Sequence, residues 1–118
     1  DTVSGLTGLD TISYAGRTAS VIVKLDANAN DGQVGELDKI LTDVENVIGG
    51  SGKDTITGSK FANVITGGLG ADKLVGGSGN DKFFAKDGVK DTLDGGTGTD
   101  SAQADKSDVR TSIEKTIK

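Results

Sequence analysis

The chain carries a nine-residue period. Reading from Gly49 gives "GGSGKDTIT", "GSKFANVIT", "GGLGADKLV" and "GGSGNDKFF" in unbroken phase. After Ala85, one residue out of phase, "KDGVKDTLD" (86–94) and "GGTGTDSAQ" (95–103) continue it. Upstream, "GLTGLDTIS" (5–13) fits loosely, and "DTVS" (1–4) matches the last four places of a copy. A fixed period of this kind marks a stacked repeat, in which no unit can bury its apolar side chains alone.

The places of the period differ in chemistry. Places 1, 2 and 4 are mostly glycine, which tolerates positive φ and lets carbonyl oxygens converge. Place 6 is aspartate at Asp54, Asp72, Asp81, Asp91 and Asp100, with Asp10 upstream. Place 8 is apolar at Ile12, Ile56, Ile65, Leu74, Phe83 and Leu93, with Ala102 the weakest. Six residues of turn and three of strand is the natural division, and in so short a strand only the middle side chain points inward. Two copies then make one coil, and each turn stacks on the turn two copies away.

Composition agrees with a thin core. Hydrophobic residues are 33% and aromatics 3% of the 118 residues, and the net charge is −5. Few apolar groups with excess charge describe a chain that needs a counterion to compact. Evenly spaced acids suit dications better than a basic partner. Without cysteine there is no disulfide, and without histidine as well there is no ordinary zinc site and no histidine-dependent triad. No apolar run is long enough to span a membrane. "DTVSGLTG" is not a signal peptide. Scattered Lys and Arg with a pI near 4.6 argue against nucleic acid as a partner.

The pattern G-G-x-G-x-D-x-U-x, with U a large apolar residue, resembles the calcium-binding repeat of the RTX (repeats-in-toxin), or serralysin-type, family. The copies at Gly49, Gly67, Gly76 and Gly95 meet all of its Gly and Asp places. The resemblance implies an all-β fold, a right-handed parallel β-roll with flanking non-repeat β segments. It also implies Ca²⁺ held between successive turns by carbonyls of the first four places and by the aspartate, the hard oxygen donors that calcium prefers. Carried over, Gly49, Gly50, Ser51, Gly52 and Asp54 face Gly67, Gly68, Leu69, Gly70 and Asp72 on one side. Gly76, Gly77, Ser78, Gly79 and Asp81 face Gly95, Gly96, Thr97, Gly98 and Asp100 on the other. Two strong sites are expected there, the first pair being the better.

One or two weaker sites are expected beside them. Asp72's turn faces "KDGVKD", which keeps Asp91 but lacks the glycine pair, and Ala85 is expected to distort it. Asp81's turn faces "GSKFAN", where Asn63 is a neutral ligand. Phe61 of that copy is expected to cover the end of the core, and its turn to face the non-repeat part. A roll without metal would leave carboxylates stacked about 5 Å apart with nothing between them.

Residues 14–48 leave the period. In "ASVIVKLD", Val21, Val23 and Leu25 alternate onto one face, which predicts a longer strand. "DANANDGQVGELD" reads as a loop. It approaches an EF-hand loop at Asp26, Asn28 and Asn30, but Gly32 comes one place late and Leu37 stands at the twelfth place. A looser calcium site at Asp26, Asn28, Asn30 or Asp31 and a solvated polar loop are the two readings left. "TDVENVI" (42–48) matches "TSIEKTI" (111–117), so Glu45 and Glu114 hold equivalent places. Each reads as a solvated edge residue, a cap of the solenoid or a further ligand. The insert resembles elements found between RTX blocks.

The expected organisation is one domain: degenerate repeats (1–13), a non-repeat insert (14–48), a nonapeptide roll (49–103) and a C-terminal cap (104–118). Because Asp1 starts in mid-copy and Lys118 stops where the first insert passes into Gly49, a longer parent chain with neighbouring domains is expected. The expected function is a calcium-binding module that folds on Ca²⁺ outside the cell, in a secreted or surface bacterial protein exported by type I secretion. It is not expected to be an enzyme. Alternatives are a structural or adhesin repeat and part of a polysaccharide-acting β-helix enzyme. Against the enzyme, the acids are periodic and equivalent, and only Lys and Arg could serve as bases. Against an ice-binding face, Thr55 and Thr57 give way to Lys73 and Val75 one coil later.

Overall fold

In the computed structural model, which describes residues 1–118, the place-8 side chains form two columns in register. Ile12, Val47, Ile65, Phe83 and Ala102 make one column. Val23, Ile56, Leu74 and Leu93 make the other. All but Ile12 are fully buried, and both columns belong to one core cluster. Burying one such side chain contributes about 1.5–3 kcal/mol, which is how a chain with so few apolar residues holds a core. Ala102, the smallest, pairs with Phe83, the largest.

The chain forms β1 (Thr2–Val3), β2 (Thr11–Ser13), β3 (Ile22–Lys24), β4 (Ala29–Asp31), β5 (Asp38–Ile40), β6 (Asn46–Ile48) and β7 (Thr55–Thr57). It continues with β8 (Val64–Thr66), β9 (Lys73–Ser78), β10 (Lys82–Phe84), β11 (Thr92–Thr97), β12 (Ser101–Gln103), β13 (Val109–Thr111) and β14 (Lys115–Thr116). There is no helix. One parallel sheet runs β14-β12-β10-β8-β6-β2, and a second runs β13-β11-β9-β7-β3. From β6 onward successive strands alternate between the two, so the coil of two copies expected from the period is the coil that forms, and the architecture is a parallel β-roll.

Ala85 is absorbed without loss of register. Partners 18 residues apart before it (Thr55 with Lys73) become partners 19 apart across it (Lys73 with Thr92). Its side chain is buried and its N–H donates to the carbonyl of Gln103 at 2.9 Å. The C-terminal segment is a further coil of the same roll, since β13 pairs with β11 and β14 with β12.

The insert differs from its sequence reading in two respects. The strand through Val21, Val23 and Leu25 is only Ile22–Lys24, because its neighbour β7 offers three residues; the three apolar side chains are buried as expected. The polar stretch after it is no simple loop. β4 and β5 pair antiparallel, and β1 pairs parallel with β5 to make a small third sheet. Asp31 pins this hairpin from a fully buried position, accepting from Lys24 N at Oδ1 and from Ile40 N at 2.9 Å at Oδ2. Both of its oxygens are thereby engaged, which argues against the looser calcium site there. Asp26 accepts from Asn28 N at 2.9 Å.

Candidate metal centre

Alternation of strands puts the turns on two sides of the roll. Each turn ends in the residue before a strand. On one side these residues are Asp54, Asp72, Asp91 and Asp108; on the other they are Asp10, Glu45, Asn63, Asp81, Asp100 and Glu114. Along each side one hydrogen bond recurs, from the amide of one such residue to the carboxylate of the next coil. Asp54 N donates to Asp72 Oδ1 at 2.8 Å, Asp72 N to Asp91 Oδ1 at 2.7 Å and Asp91 N to Asp108 Oδ1 at 2.9 Å. Opposite, Asn63 N donates to Asp81 Oδ1 and Asp81 N to Asp100 Oδ1, both at 2.7 Å. The turns expected to face one another do so.

The second carboxylate oxygen explains glycine at place 1. A Cβ on Gly67, Gly76 or Gly95 would strike Oδ2 of Asp72, Asp81 or Asp100 respectively. On Gly76 it would also meet the carbonyl of Gly95, and on Gly95 that of Ser112. None of these three glycines has positive φ, so place 1 is glycine for space. Places 2 and 4 are glycine for conformation as well: Gly77 and Gly79 have φ of 101° and 99°, where an L side chain is strained.

The Oδ2 atoms of Asp10, Asp72, Asp81, Asp91 and Asp100 are buried and have no hydrogen-bond partner. A buried carboxylate oxygen without a partner is costly unless a cation or a proton compensates it. Burial, reinforced by the carboxylates of Asp54, Asp91 and Asp87, pushes Asp72 up to about 7 against the hydrogen bond from Asp54 N. Burial and Asp100 push Asp81 up to about 6. Burial, with Asp87, Asp108 and Asp105, pushes Asp91 up to about 6. No three acidic side chains converge on one point, so the remaining donors to a cation would be main-chain carbonyls of the glycine turns. An all-oxygen, negatively charged donor set with unpartnered buried carboxylate oxygens fits Ca²⁺.

The two complete pairs are not equivalent. Asp81 and Asp100 both keep an unpartnered Oδ2. In the other pair only Asp72 does, because Gly50 N donates to Asp54 Oδ2 at 2.6 Å. The turn Gly49–Asp54 leans on the insert: Ser51 N donates to Arg17 O at 2.9 Å, Val21 N donates to Asp54 Oδ1 at 2.9 Å, and Gly50 and Gly52 lack positive φ. The turn from Lys86 keeps Asp91 in the ladder despite Ala85. Asp87 and Asp105 add a second tier, with Gly70 N donating to Asp87 Oδ2 at 2.9 Å and Asp87 N to Asp105 Oδ2 at 3.1 Å.

The degenerate copy at Gly58 faces the insert, as expected. Asn63 Oδ1 accepts from Ser59 N at 2.8 Å, and its Nδ2 donates to the carbonyl of Glu45 at 3.0 Å. Phe61 does not cover the core. It is 51% exposed, with the Lys60 ammonium 5.3 Å from its ring centre. The fourth place lies on the outside of the turn, beyond the reach of the inward columns.

Three rungs escaped the periodic reading. Asp108 stands 17 residues after Asp91, behind a shortened turn, so it is out of phase, and Arg110 rather than an apolar residue follows at the eighth place, so neither signal of the repeat marks it. Glu45 and Glu114 take an aspartate's place. Asp10 N donates to Glu45 Oε2 at 2.9 Å and Asp100 N to Glu114 Oε2 at 2.8 Å, so neither is merely a solvated edge residue.

Comparison with known proteins agrees with this geometry. The model of the RTX calcium-binding nonapeptide repeat matches in four copies, over residues 48–83 and 90–108. The second stretch ends on Asp108, the rung beyond the periodic block. No curated protein compared with the chain is significantly similar to it. The matched repeat is a structural, calcium-binding unit and not a catalytic one. Residues 48–83 and 90–108 thus match the RTX calcium-binding nonapeptide repeat, and they fold as a parallel β-roll.

Proposed function

We propose that the chain is a calcium-dependent folding module of a longer secreted or surface bacterial protein, without catalytic activity of its own. The observation that carries this reading is the row of buried, unpartnered Oδ2 atoms on Asp72, Asp81, Asp91 and Asp100. In the folded coil these groups repel their neighbours. In the unfolded chain they are hydrated and apart. Calcium, when bound, supplies the compensating charge, and because the stacked turns exist only in the folded coil, its binding free energy adds to folding.

Asp81 and Asp100, with carbonyls of Gly76–Gly79 and Gly95–Gly98, would hold one ion. Asp72, with carbonyls of Gly49–Gly52 and Gly67–Gly70, would hold a second. Asp91 would contribute a weaker site under Asp72. Asn63 is engaged by Ser59 and Glu45 and is the poorest ligand of the set. The place-1 glycines keep the carboxylates close to the main chain, and the place-8 columns fix the coil-to-coil distance.

Extracellular modules bind Ca²⁺ at ~10⁻⁴–10⁻³ M, far above cytosolic levels. The chain therefore stays unfolded inside the cell, as passage through a type I secretion channel requires, and folds outside. Circular dichroism during a calcium titration tests this. Strand content should rise cooperatively in the sub-millimolar to millimolar range; equal strand content in excess chelator would contradict the coupling.

A further inference from the structure

The carboxylate ladder does not stop where the nonapeptides stop. Asp100 is fully buried and its Oδ2 has no partner. That oxygen and the carbonyl oxygen of Ser112 lie together over Gly95, where a Cβ would strike both. Below Asp100, Glu114 Oε2 accepts its amide at 2.8 Å, the position that Asp100 Oδ1 takes toward Asp81. The amides of Glu114 and Lys115 return hydrogen bonds to the carbonyl of Asp100 at 3.0 and 2.9 Å.

The same constellation recurs at the other end. Asp10 Oδ2 is buried without a partner, and with the carbonyl oxygen of Asp43 it lies over Gly5. Glu45 Oε2 accepts from Asp10 N, and the amides of Glu45 and Asn46 return to the carbonyl of Asp10 at 3.3 and 2.9 Å. The nonapeptide turn is complete at Gly95 and has Leu6 for its second glycine at Gly5; the turn stacked on it is not a nonapeptide, yet it supplies a carbonyl and a carboxylate at the same stations. Glutamate stands where aspartate stands in the repeat, its longer side chain reaching the amide above from a turn without the glycine pair.

We infer that the inserts build two further divalent-cation sites at their junctions with the repeats, one from Asp100, Glu114 and the Ser112 carbonyl, the other from Asp10, Glu45 and the Asp43 carbonyl. The inference rests on the calcium reading of the repeats. It makes the inserts part of the metal-binding array, so that the ladder on this side is interrupted only at Asn63.

Calcium binding by the full chain tests it, with bound ions counted by native mass spectrometry and affinities taken from isothermal titration. Glu114→Gln and Glu45→Gln keep an oxygen to accept the amide but remove the charge. Each should bind one calcium fewer than the wild-type chain, or bind one at least about tenfold more weakly, with wild-type strand content at saturating calcium. Unchanged counts and affinities in both variants, while Asp81→Asn loses an ion, overturn the inference and leave the calcium reading standing. No calcium bound by the wild-type chain overturns the calcium reading itself. If one glutamine variant fails to fold in calcium, the other decides: loss or weakening of one ion with wild-type strand content supports a liganding carboxylate, and an unchanged ion count and affinity make the glutamate a purely structural brace and overturn the inference.

Discussion

Asn63 Nδ2 donates to the carbonyl oxygen of Glu45 at 3.0 Å, the one place in the two ladders where a side-chain donor is needed. The amide of Glu45 is turned upward to Asp10 O, so the turn above Asn63 presents a carbonyl to it. An aspartate there would face that carbonyl with a second acceptor. Asn63→Asp, which restores the repeat pattern, should therefore weaken the roll. The Glu45 carbonyl would keep the bond from Val64 N at 3.1 Å, but losing the side-chain bond and setting a carboxylate against that oxygen cost about 1–3 kcal/mol. The check is chemical denaturation in saturating calcium; a more stable variant would refute this account of the asparagine.

Asp81→Asn separates charge from shape. Its Oδ1 can still accept from Asn63 N, and its amide nitrogen replaces the unpartnered Oδ2 near the carbonyl of Gly95. In excess chelator the variant should hold more strand structure than the wild-type chain, because a buried like-charge contact with Asp100 is gone. In calcium it should need a higher concentration to complete folding. Circular dichroism across a calcium titration reads both signs at once, and a shift of the same sign in both conditions would contradict the assignment.

Asp72 is pushed up to about 7, and Asp81 and Asp91 to about 6, from an ordinary 3.8. Between the ordinary value and these values the folded chain binds more protons than the unfolded chain. The stability of the calcium-free coil therefore falls as pH rises through that window, and the full penalty is reached above about 7. Strand content in calcium-free buffer should be higher near pH 5 than near pH 8, and Asp72→Asn should flatten the slope. A slope of opposite sign would remove the electrostatic basis for calcium-dependent folding.

Gly76→Ala tests the space behind place 1. Its Cβ would strike both Asp81 Oδ2 and the carbonyl of Gly95, whereas Gly16→Ala meets nothing within 4 Å and has no positive φ. The first should cost about 1–3 kcal/mol by overpacking and raise the calcium midpoint; the second should be near neutral. Thermal melts at saturating calcium compare them, and equal costs would show that place 1 is glycine for another reason.

Asp72→Ala should raise the calcium midpoint more than Asn63→Ala. The first removes a carboxylate with a free oxygen, while the second removes an amide whose oxygen and nitrogen are both engaged by the protein. Equal shifts would contradict the ranking of these two turns.

What the period could reveal, it revealed: the alternation of sheets, the inward columns of Ile56, Leu74 and Leu93, and the facing of each aspartate turn with the turn two copies on. These follow from local geometry repeated in phase. Its reach ended where phase ended. Asp108, Glu45 and Glu114 are rungs reached through segments of other lengths, and only the stacking of coils brings them under Asp91, Asp10 and Asp100. The hairpin at Asp31 looks like a loop in the sequence because its pairing is fixed by one buried carboxylate bridging Lys24 N and Ile40 N, with little apolar alternation to mark it. Gly49–Asp54 matches every place of the repeat, yet its backbone answers to Arg17 and Val21 in a segment outside the period.

The alternation of strands between two sheets also limits how such an array can change length. Loss of one nine-residue copy would send every later strand to the opposite sheet and move Asp81 to the side now held by Asp54 and Asp72. Loss of two copies would leave sides and columns unchanged, and the single extra residue at Ala85 is taken up inside a coil. The single repeat is therefore the unit of pattern, while the coil of two is the step by which such an array can lengthen or shorten without moving its turns from side to side.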